Sequence, residues 1–183
     1  ACRERMARFL RQASTNDRRN VWVLQCDIRR FFESIRHDTL LALLGTRVRD
    51  PLLLVLLAII VRSFSVMDRT GRGIPLGNVT SQLFGNIYLD GLDHLVKDRL
   101  RMRWYVRFCD DFALVHPDRA VLEGALSKIR TLLTHERSLE FHPRKVTIRR
   151  YSYGIDCVGQ VLRPHVRTLR RATVRRAFRI IRL

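Results

Sequence analysis

The sequence predicts an α+β domain with the β-α-β-β-α-β order of the ferredoxin-like split βαβ fold, an antiparallel sheet with helices on one face. Residues 21–26 form a β-branched and aromatic run that is typical of a buried strand and ends at Asp27. Residues 103–109 and 112–116 are strand-like and lie only two residues apart, which predicts an antiparallel hairpin. Helical patterns lie between the first strand and the hairpin, and again after it.

The helical segments before the hairpin differ in polarity. Residues 3–12 predict a basic helix, and residues 37–44 predict a short one. A further helix opens at Asp50-Pro51, an N-cap residue followed by proline at the first helical position, and runs to about residue 63. Because that helix is apolar on all sides, we expect it to be buried on several sides. The segment 37–64 is treated as an insertion in the ferredoxin-like order.

The remaining elements surround the hairpin. Residues 65–77 hold three glycines and a proline, which predicts a loop. A long helix is expected over residues 78–100, with Val79 and Leu83 on its apolar face. The later segments are a helix at 118–135, strands at 139–141, 145–148 and 155–162, and a very basic helix from residue 168 onward.

The charge of the chain indicates a polyanionic partner. The 183 residues include 35 Lys+Arg against 17 Asp+Glu, a net charge of +18. An excess of this size is typical of proteins that bind nucleic acid. A codon bias explains the choice of arginine over lysine, but it does not explain two basic residues for each acidic one. Hydrophobic residues make up 46% of the chain, which excludes global disorder.

The composition excludes several other classes of protein. The four cysteines form neither a zinc-type nor a disulfide-type spacing, and no histidine has metal-ligand spacing. The longest apolar run, residues 51–61, is too short to span a bilayer, which needs about 20 residues. No signal peptide opens the chain, which does not begin with Met and ends in a basic segment. We therefore expect a piece of a longer cytoplasmic protein with no membrane contact.

Three carboxylates are expected at one edge of the predicted sheet. In the ferredoxin-like order the first strand and the hairpin are neighbours, so Asp27 faces Asp110 and Asp111. Close like charges raise each other's pKa, and such an arrangement is stable mainly with divalent metal present. Two Mg²⁺ ions held by carboxylates are the usual machinery for in-line attack on a phosphate. The alternative is that Asp110 and Asp111 are ordinary turn residues, which the pair alone favours and the apolar strands on both sides of it disfavour.

Five segments resemble, in order, the palm motifs of reverse transcriptases. The first palm motif is matched by Asp27-Ile28-Arg29-Arg30-Phe31-Phe32, and the Tyr-x-Asp-Asp box by Phe108-Cys109-Asp110-Asp111. The loop-helix motif under the incoming nucleotide is similar to residues 73–82. The lysine of the fourth motif is matched by Lys145, and the primer-grip turn by residues 154–159. Together the motifs cover roughly residues 20 to 165, which is far more specific than any single match.

The resemblance implies roles for individual residues. The implied catalytic residues are Asp27, Asp110, Asp111 and Lys145. The implied cofactor is a pair of Mg²⁺ ions, with Mn²⁺ as an alternative, held at Asp27, Ile28, Asp110 and Asp111. The implied nucleotide-binding residues are Ile28, Phe32, Pro75, Leu76, Gly77 and Gln82. The implied nucleic-acid contacts are Arg163, Arg167, Arg170, Arg171 and Arg175.

Several of these residues have a plain structural alternative. Phe32 is either the steric gate that excludes a 2′-hydroxyl or a core phenylalanine beside Phe31. Lys145 either protonates the pyrophosphate leaving group or is a solvated lysine at a strand start. The arginines either contact template–primer phosphates, which adds salt dependence to binding, or form a solvated basic helix face.

The resemblance also implies a right-hand polymerase palm with fingers and thumb truncated. The expected parts are the end of the fingers with a connecting helix at 1–19, the palm at 20–150 with its insertion at 37–64, a primer-grip turn at 151–165 and the start of a basic thumb at 166–183. The implied reaction adds deoxynucleotides to a primer 3′-hydroxyl on an RNA template by two-metal catalysis. The implied partners are an RNA template, a DNA or RNA primer and dNTPs, in a bacterial or phage-infected cytoplasm.

One departure from the common pattern indicates a subtype. Most reverse transcriptases have Gln between the Pro and Gly of the loop and Ser-Pro further on, where this chain has Leu76 and Ser81-Gln82. This pattern resembles the enzymes of diversity-generating retroelements, which copy RNA with errors at adenines and work with a small basic accessory protein. Replacing an amide by Leu76 removes hydrogen bonds that would position the nucleotide, so discrimination between correct and wrong pairs should fall.

Other interpretations stay open. Group II intron and antiphage-defence reverse transcriptases are the nearest alternatives within the family. A non-catalytic RNA-binding palm would need only the basic surface, and the three intact carboxylates argue against it. A metal-dependent nuclease would use similar carboxylates, but it has no need of a steric gate or of the loop motif.

Overall fold

The centre of the fold is a four-stranded antiparallel sheet. A computed structural model describes residues 2–64, 70–75, 77 and 79–181. The sheet consists of β1 (Trp22–Asp27), β2 (Trp104–Phe108), β3 (Asp111–His116) and β4 (Thr147–Arg150). The strands lie in the order β2-β3-β1-β4, and each neighbouring pair is antiparallel. This is the strand order of the split βαβ plan, so the predicted fold class is confirmed.

Eight α-helices lie in the part of the chain that the structure describes. They are α1 (Cys2–Ala13), α2 (Phe31–Ser34), α3 (His37–Gly45), α4 (Pro51–Arg62), α5 (Val79–Tyr88), α6 (Asp90–His94), α7 (Arg119–Thr131) and α8 (Arg171–Ile181). Two of them continue into π-helical turns, α6 into Leu95–Arg99 and α7 into Leu132–Glu136.

Both faces of the central sheet are apolar and covered. Successive side chains of a strand point to opposite faces, so Leu24 packs in one cluster with Leu122 of α7 and residues of α5. Val23 packs in a second cluster with Leu10 of α1. The two helices of the motif thus share one face, as predicted. The basic helix α1, which stands outside the motif, covers the other.

The prediction that the apolar helix α4 is buried on several sides is wrong. The side chain of Asp50 accepts hydrogen bonds from the amides of the first turn and caps the helix as predicted. Of its residues only Val61 is fully buried, whereas Leu52 is 80% exposed and Ile59 is 62% exposed. The helix packs along one side only. None of the described helices combines the length and the apolar character needed to cross a membrane.

The expected long helix over residues 78–100 is divided, and the buried face of its first part, α5, differs from the predicted one. The backbone leaves helical geometry at Leu89, between α5 and α6. Val79 is 89% exposed, whereas Phe84 and Tyr88 are buried. Gly85 explains why this face of α5 is the buried one. A Cβ atom at Gly85 would lie 3.0 Å from the ring of Phe31, so the absence of a side chain lets α5 pack closely against that ring.

A second antiparallel sheet follows the first. It consists of β5 (Ile155–Cys157), β6 (Gln160–Arg163) and β7 (Val166–Leu169), in that order. The single strand predicted over residues 155–162 is therefore a hairpin, because Val158 and Gly159 both take positive φ angles of 47° and 78°. The predicted strand at 139–141 is reduced to one bridge between Phe141 and Ile28. The last helix begins at Arg171, after β7, rather than at residue 168.

Candidate active site

Asp27, Asp110 and Asp111 lie together at one edge of the central sheet. The register of β1 and β3 places Asp27 opposite Asp111, at the point where β1 ends and β3 begins. On the other side of β3, Phe108 lies opposite Asp111, so Cys109 and Asp110 form the two-residue turn of the β2–β3 hairpin. The structure thus brings Asp27 to two neighbouring carboxylates that lie far from it in the sequence.

The turn that carries these acids is strained. Cys109 has a φ angle of 58°, in the left-handed region that side chains other than glycine rarely adopt. Such a conformation costs about 1–3 kcal/mol and persists only where the surroundings hold it. Strain at this position therefore indicates that packing and hydrogen bonds fix the turn.

The acids repel one another electrostatically. Partial burial and the negative charge of Asp27 raise the pKa of Asp110 above the ordinary carboxyl value. Partial desolvation, followed by the charges of Asp27 and Asp110, likewise raises the pKa of Asp111, although its side chain is exposed on one side. A cation placed among these groups would relieve this repulsion.

Lys145 supplies one such cation. Its Nζ donates a hydrogen bond of 2.6 Å to Oδ2 of Asp27, whose side chain is only 14% exposed. The bond raises the pKa of Lys145. The same ammonium lowers the pKa of Asp110 and Asp111, which partly offsets the effect of their burial. The structure therefore places Lys145 against the acidic edge.

The donor chemistry at this edge suits a divalent cation. Mg²⁺ prefers carboxylate and other oxygen ligands, and the mutual repulsion of the three acids favours a bound cation. Among the described residues, however, no three His, Cys, Asp or Glu side chains are arranged as a finished metal site. One Asp27 oxygen is bonded to Lys145. A metal that used this oxygen would have to displace the ammonium.

The predicted nucleotide-binding residues lie on two adjoining segments. The amide of Ile74 donates to the carbonyl of Phe32 at 2.9 Å, so the loop that contains Pro75 is bonded to the segment after β1. The ring of Phe32 lies edge-on to that of Phe31, at 5.2 Å between centroids. Ile28 is buried and Pro75 is half-buried.

The rest of the loop motif is more open. Gly77 is exposed, with a φ angle of 95° that requires glycine, and Gln82 is exposed on the first turn of α5. Leu76, on which the subtype prediction depends, lies outside the described residues.

A cleft joins the acidic edge to the second sheet. It has a volume of about 470 Å³, and its lining includes Asp27, Asp111, Lys145, Gly159 and Arg170. The side chain of Gln25 in β1 donates to the carbonyl of Asp156 at 2.7 Å and so ties the β5–β6 hairpin to the central sheet. The hairpin that resembles the primer grip therefore faces the carboxylates across one cleft.

The predicted nucleic-acid contacts lie in the second region of the chain, which consists of β5, β6, β7 and α8. All five side chains are exposed: Arg163, Arg167, Arg170, Arg171 and Arg175. Arg170 pairs with Asp156 and lines the cleft, while Arg171 and Arg175 lie on α8. Of the five arginines, Arg170 is the one that lines the cleft.

Sequence reasoning missed a polar cluster behind the turn. Arg107, in β2, is largely buried and bonds with Asp93, Asn86 and the carbonyl of Cys109. Tyr105 adds a hydrogen bond to Asp93. The available signal was a lone arginine between apolar residues of a strand, three positions before the acids.

Comparison with known proteins identifies the family. The model of the family described as reverse transcriptase (RNA-dependent DNA polymerase) matches residues 2–162. The chain belongs to the reverse transcriptase family. The matched region contains the acidic edge, Lys145, the loop motif and all but the last residue of the β5–β6 hairpin.

Individual relatives are longer than this chain. A 91 kDa protein in the cob intron of Schizosaccharomyces pombe is 30% identical over 93 residues, which cover 49% of this chain and 12% of that protein. Protein YkfC of Escherichia coli is 22% identical over 189 residues, which cover 84% of this chain and 50% of that protein. The chain therefore spans half or less of the length of these relatives.

Solved structures share the reverse transcriptase fold. Apo telomerase from Candida tropicalis, truncated from its C-terminal domain, matches with a TM-score of 0.69 at 12% identity, over 91% of this chain and 39% of that one. Telomerase from Candida albicans, in complex with a fragment of telomeric RNA, matches with a TM-score of 0.62 at 15% identity, over 88% of this chain and 32% of that one. The palm architecture predicted from the motifs is thereby confirmed.

Proposed function

We propose that this chain is the palm, with the start of a thumb, of an RNA-directed DNA polymerase that adds deoxynucleotides to a primer 3′-hydroxyl. The observation that carries the proposal is the meeting of Asp27, Asp110 and Asp111 at the end of the central sheet, in a chain of the reverse transcriptase family. The family generally uses divalent metal ions, and oxygen donors at this edge fit them.

In this proposal the acids hold two Mg²⁺ ions, with Ile28 beside them. The bound ions supply activation of the primer hydroxyl and charge stabilisation of the leaving pyrophosphate. Asp27 would contribute a nearly buried carboxylate, one oxygen of which accepts a hydrogen bond from Lys145. Lys145 would hold a proton close to the leaving group. Positioning and neutralisation of charge carry the catalysis, without a covalent intermediate.

Nucleotide and nucleic acid would occupy the surfaces around the acids. Phe32, Pro75, Leu76, Gly77 and Gln82 would bind the incoming nucleotide, with Phe32 as the steric gate. The primer end would lie in the cleft between the acids and the β5–β6 hairpin. The five exposed arginines would contact template–primer phosphates, and α8 would begin the thumb.

The subtype we propose is the diversity-generating type, in a bacterial or phage-infected cytoplasm, with a small basic accessory protein as partner. Its support is the sequence at Leu76 and Ser81-Gln82. A second candidate is an intron-type enzyme, which is favoured by the relative in the cob intron. Product fidelity separates the two, because only the first type makes errors concentrated opposite adenines.

The test is primer extension on a defined RNA template by the full-length protein in Mg²⁺ and dNTPs, followed by sequencing of the products. Asp98→Asn, which changes an exposed carboxylate outside the site, is the matched control for Asp110→Asn. We expect extension by the wild type and by Asp98→Asn only. Degradation of labelled RNA or DNA without nucleotides would support the nuclease alternative and refute the polymerase.

A further inference from the structure

We propose that Arg107 is a positioning residue of the active site. With Asp93 and Asn86, it holds the carbonyl of Cys109 and, through it, the turn that carries Asp110 and Asp111. This inference rests on the proposed polymerase function. It assigns a role to a cluster that lies outside the residues of the palm motifs matched above.

Asp93 fixes the orientation of the guanidinium. Nε of Arg107 donates to Oδ1 of Asp93 at 2.9 Å, and Nη2 donates to Oδ2 at 2.5 Å. Tyr105 donates to the same Oδ1 at 2.7 Å. The Arg107 side chain is only 10% exposed. A bidentate pair with a largely buried guanidinium has a fixed geometry, which the single ammonium of a lysine cannot reproduce.

The remaining nitrogen of the fork faces the catalytic turn. Nη1 of Arg107 donates to Oδ1 of Asn86 at 3.0 Å and to the carbonyl of Cys109 at 3.1 Å. Asn86 belongs to α5 and Asp93 to α6, so one side chain joins these helices to the β2–β3 hairpin. The helix that follows the loop motif and the turn that carries the acids are thus bonded to one side chain.

The turn needs such an anchor because its backbone is strained. Cys109 has a φ angle of 58°, and the next two residues are the acids. Without the bond to the Cys109 carbonyl, the turn can relax towards a conformation with negative φ and move both carboxylates. A displacement of about 1 Å in a catalytic site can reduce the rate about 100-fold. The effect of Arg107 is therefore expected in kcat and in metal binding, rather than in RNA binding.

The experiment compares three variants of the full-length protein. Arg107→Lys keeps the charge but loses the fork, and Asn86→Ala removes one acceptor while both bonds to Asp93 remain. Arg103→Lys is the matched control, since Arg103 lies just before the same strand and packs on the ring of Trp104. The measurements are kcat and KM for dNTP, template–primer Kd, Mn²⁺ binding by electron paramagnetic resonance, and the melting temperature.

We expect Arg107→Lys to lower kcat by about 10- to 100-fold, weaken Mn²⁺ binding several-fold and leave the template–primer Kd within two-fold. Asn86→Ala should lower kcat by a smaller factor, and Arg103→Lys should match the wild type. A folded Arg107→Lys protein with wild-type kcat and Mn²⁺ binding would overturn the proposal. If Arg107→Lys does not fold, unchanged kcat and Mn²⁺ binding in Asn86→Ala would overturn it.

Failure of the polymerase function gives a different result. In that case the wild type does not extend primers, although Asp110→Asn still loses Mn²⁺ binding. Mn²⁺ affinity by itself then tests the positioning role of Arg107. Weaker Mn²⁺ binding in Arg107→Lys or Asn86→Ala supports that role, and wild-type binding in both refutes it.

Discussion

The two sheets of this chain are held in place in different ways. In the central sheet, Val23, Leu24 and Leu114 are completely buried, and side chains pack on both faces. In the second region, Ile155 and Leu162 are buried in the same cluster as Val23. By contrast β7 is exposed at every position, and α8 at nearly every described position. The carboxylates lie at the edge of the central sheet, and the five arginines predicted to contact nucleic acid lie on the surface of the second region.

This difference in packing indicates that the central sheet serves catalysis and the second region serves nucleic-acid binding. Catalytic carboxylates must be held to a fraction of an ångström, which requires a packed scaffold. Phosphate contacts depend mainly on charge, so exposed side chains can make them. We therefore expect changes in the central sheet to alter the rate or the fold, and changes in the second region to alter affinity and its salt dependence.

The largest effect is expected at the acidic edge. Asp110→Asn should reduce kcat by about 10³-fold, because the metal ions lose a ligand that contributes several kcal/mol to transition-state stabilisation. In the metal-free protein, the same change should raise the melting temperature, because it removes one of the three mutually repelling carboxylates. Kinetics and thermal unfolding in EDTA measure the two effects, and a large drop in melting temperature would contradict this view.

The pH dependence has the sign given by the raised pKa of Asp110 and Asp111. A carboxyl that binds its proton more tightly in the folded state destabilises the fold when it is ionised. The stability of the metal-free protein should therefore rise as the pH falls through the raised pKa towards the ordinary value of about 3.9. Asp110→Asn should weaken this trend, which urea unfolding at several pH values would show.

Truncation of one leucine in each sheet compares a buried strand with an exposed one. Leu114→Ala, at a fully buried position of β3, should lower the free energy of unfolding by about 2–5 kcal/mol. Leu169→Ala, at a position of β7 that is 57% exposed, should change it by less than about 0.5 kcal/mol. Urea unfolding measures both changes, and equal losses of unfolding free energy would show that β7 is packed as tightly as β3.

Charge removal on α8 should affect binding. Replacing Arg171 and Arg175 by alanine should weaken template–primer binding and lower the slope of log Kd against log salt by about 0.7–0.9 for each phosphate that an arginine no longer neutralises. Arg99→Ala is the matched control, since Arg99 is exposed in the π-helical turn after α6. Fluorescence anisotropy at several salt concentrations measures the slope. Equal changes in control and variant would contradict the proposal that α8 contacts template–primer phosphates.

The smallest effect is a difference in thiol reactivity. Burial raises the pKa of Cys26, in the central sheet, to about 12 and that of Cys157, in β5, to about 11. Both thiols should react more slowly than a free cysteine with iodoacetamide at about pH 8. Cys157 should react first, because it is half-buried whereas Cys26 is 2% exposed. Mass spectrometry of partially labelled protein gives the order, and earlier labelling of Cys26 would show that the central sheet opens.

The acidic edge could be predicted because its signals are local. A strand that ends at Asp27 and a hairpin with acids at its tip need only residue alternation and a short connection to be recognised. The fold order then places them side by side. The five motifs add the family, which a single motif could not do.

The features that were not predicted depend on tertiary packing partners, which the periodicity of the sequence does not reveal. The apolar character of α4 is plain in the sequence, but which of its sides is covered depends on packing partners. The face of α5 was mispredicted because Gly85 and the Phe31 ring determine it. The β5–β6 turn lacks the Asn-Gly or Asp-Gly signal of a tight hairpin, and uses Val158-Gly159 instead. The role of Arg107 depends on Asp93 and Asn86, which lie on other elements.

The most direct test of the central claim is to measure RNA binding and primer extension together in the wild type and in Asp110→Asn. We predict that both proteins bind an RNA template–primer with the same Kd, and that only the wild type extends the primer in Mg²⁺. Undiminished extension by Asp110→Asn would contradict the assignment of the carboxylates. Tight RNA binding by the wild type, with no extension under any divalent metal, would instead identify a palm that only binds RNA.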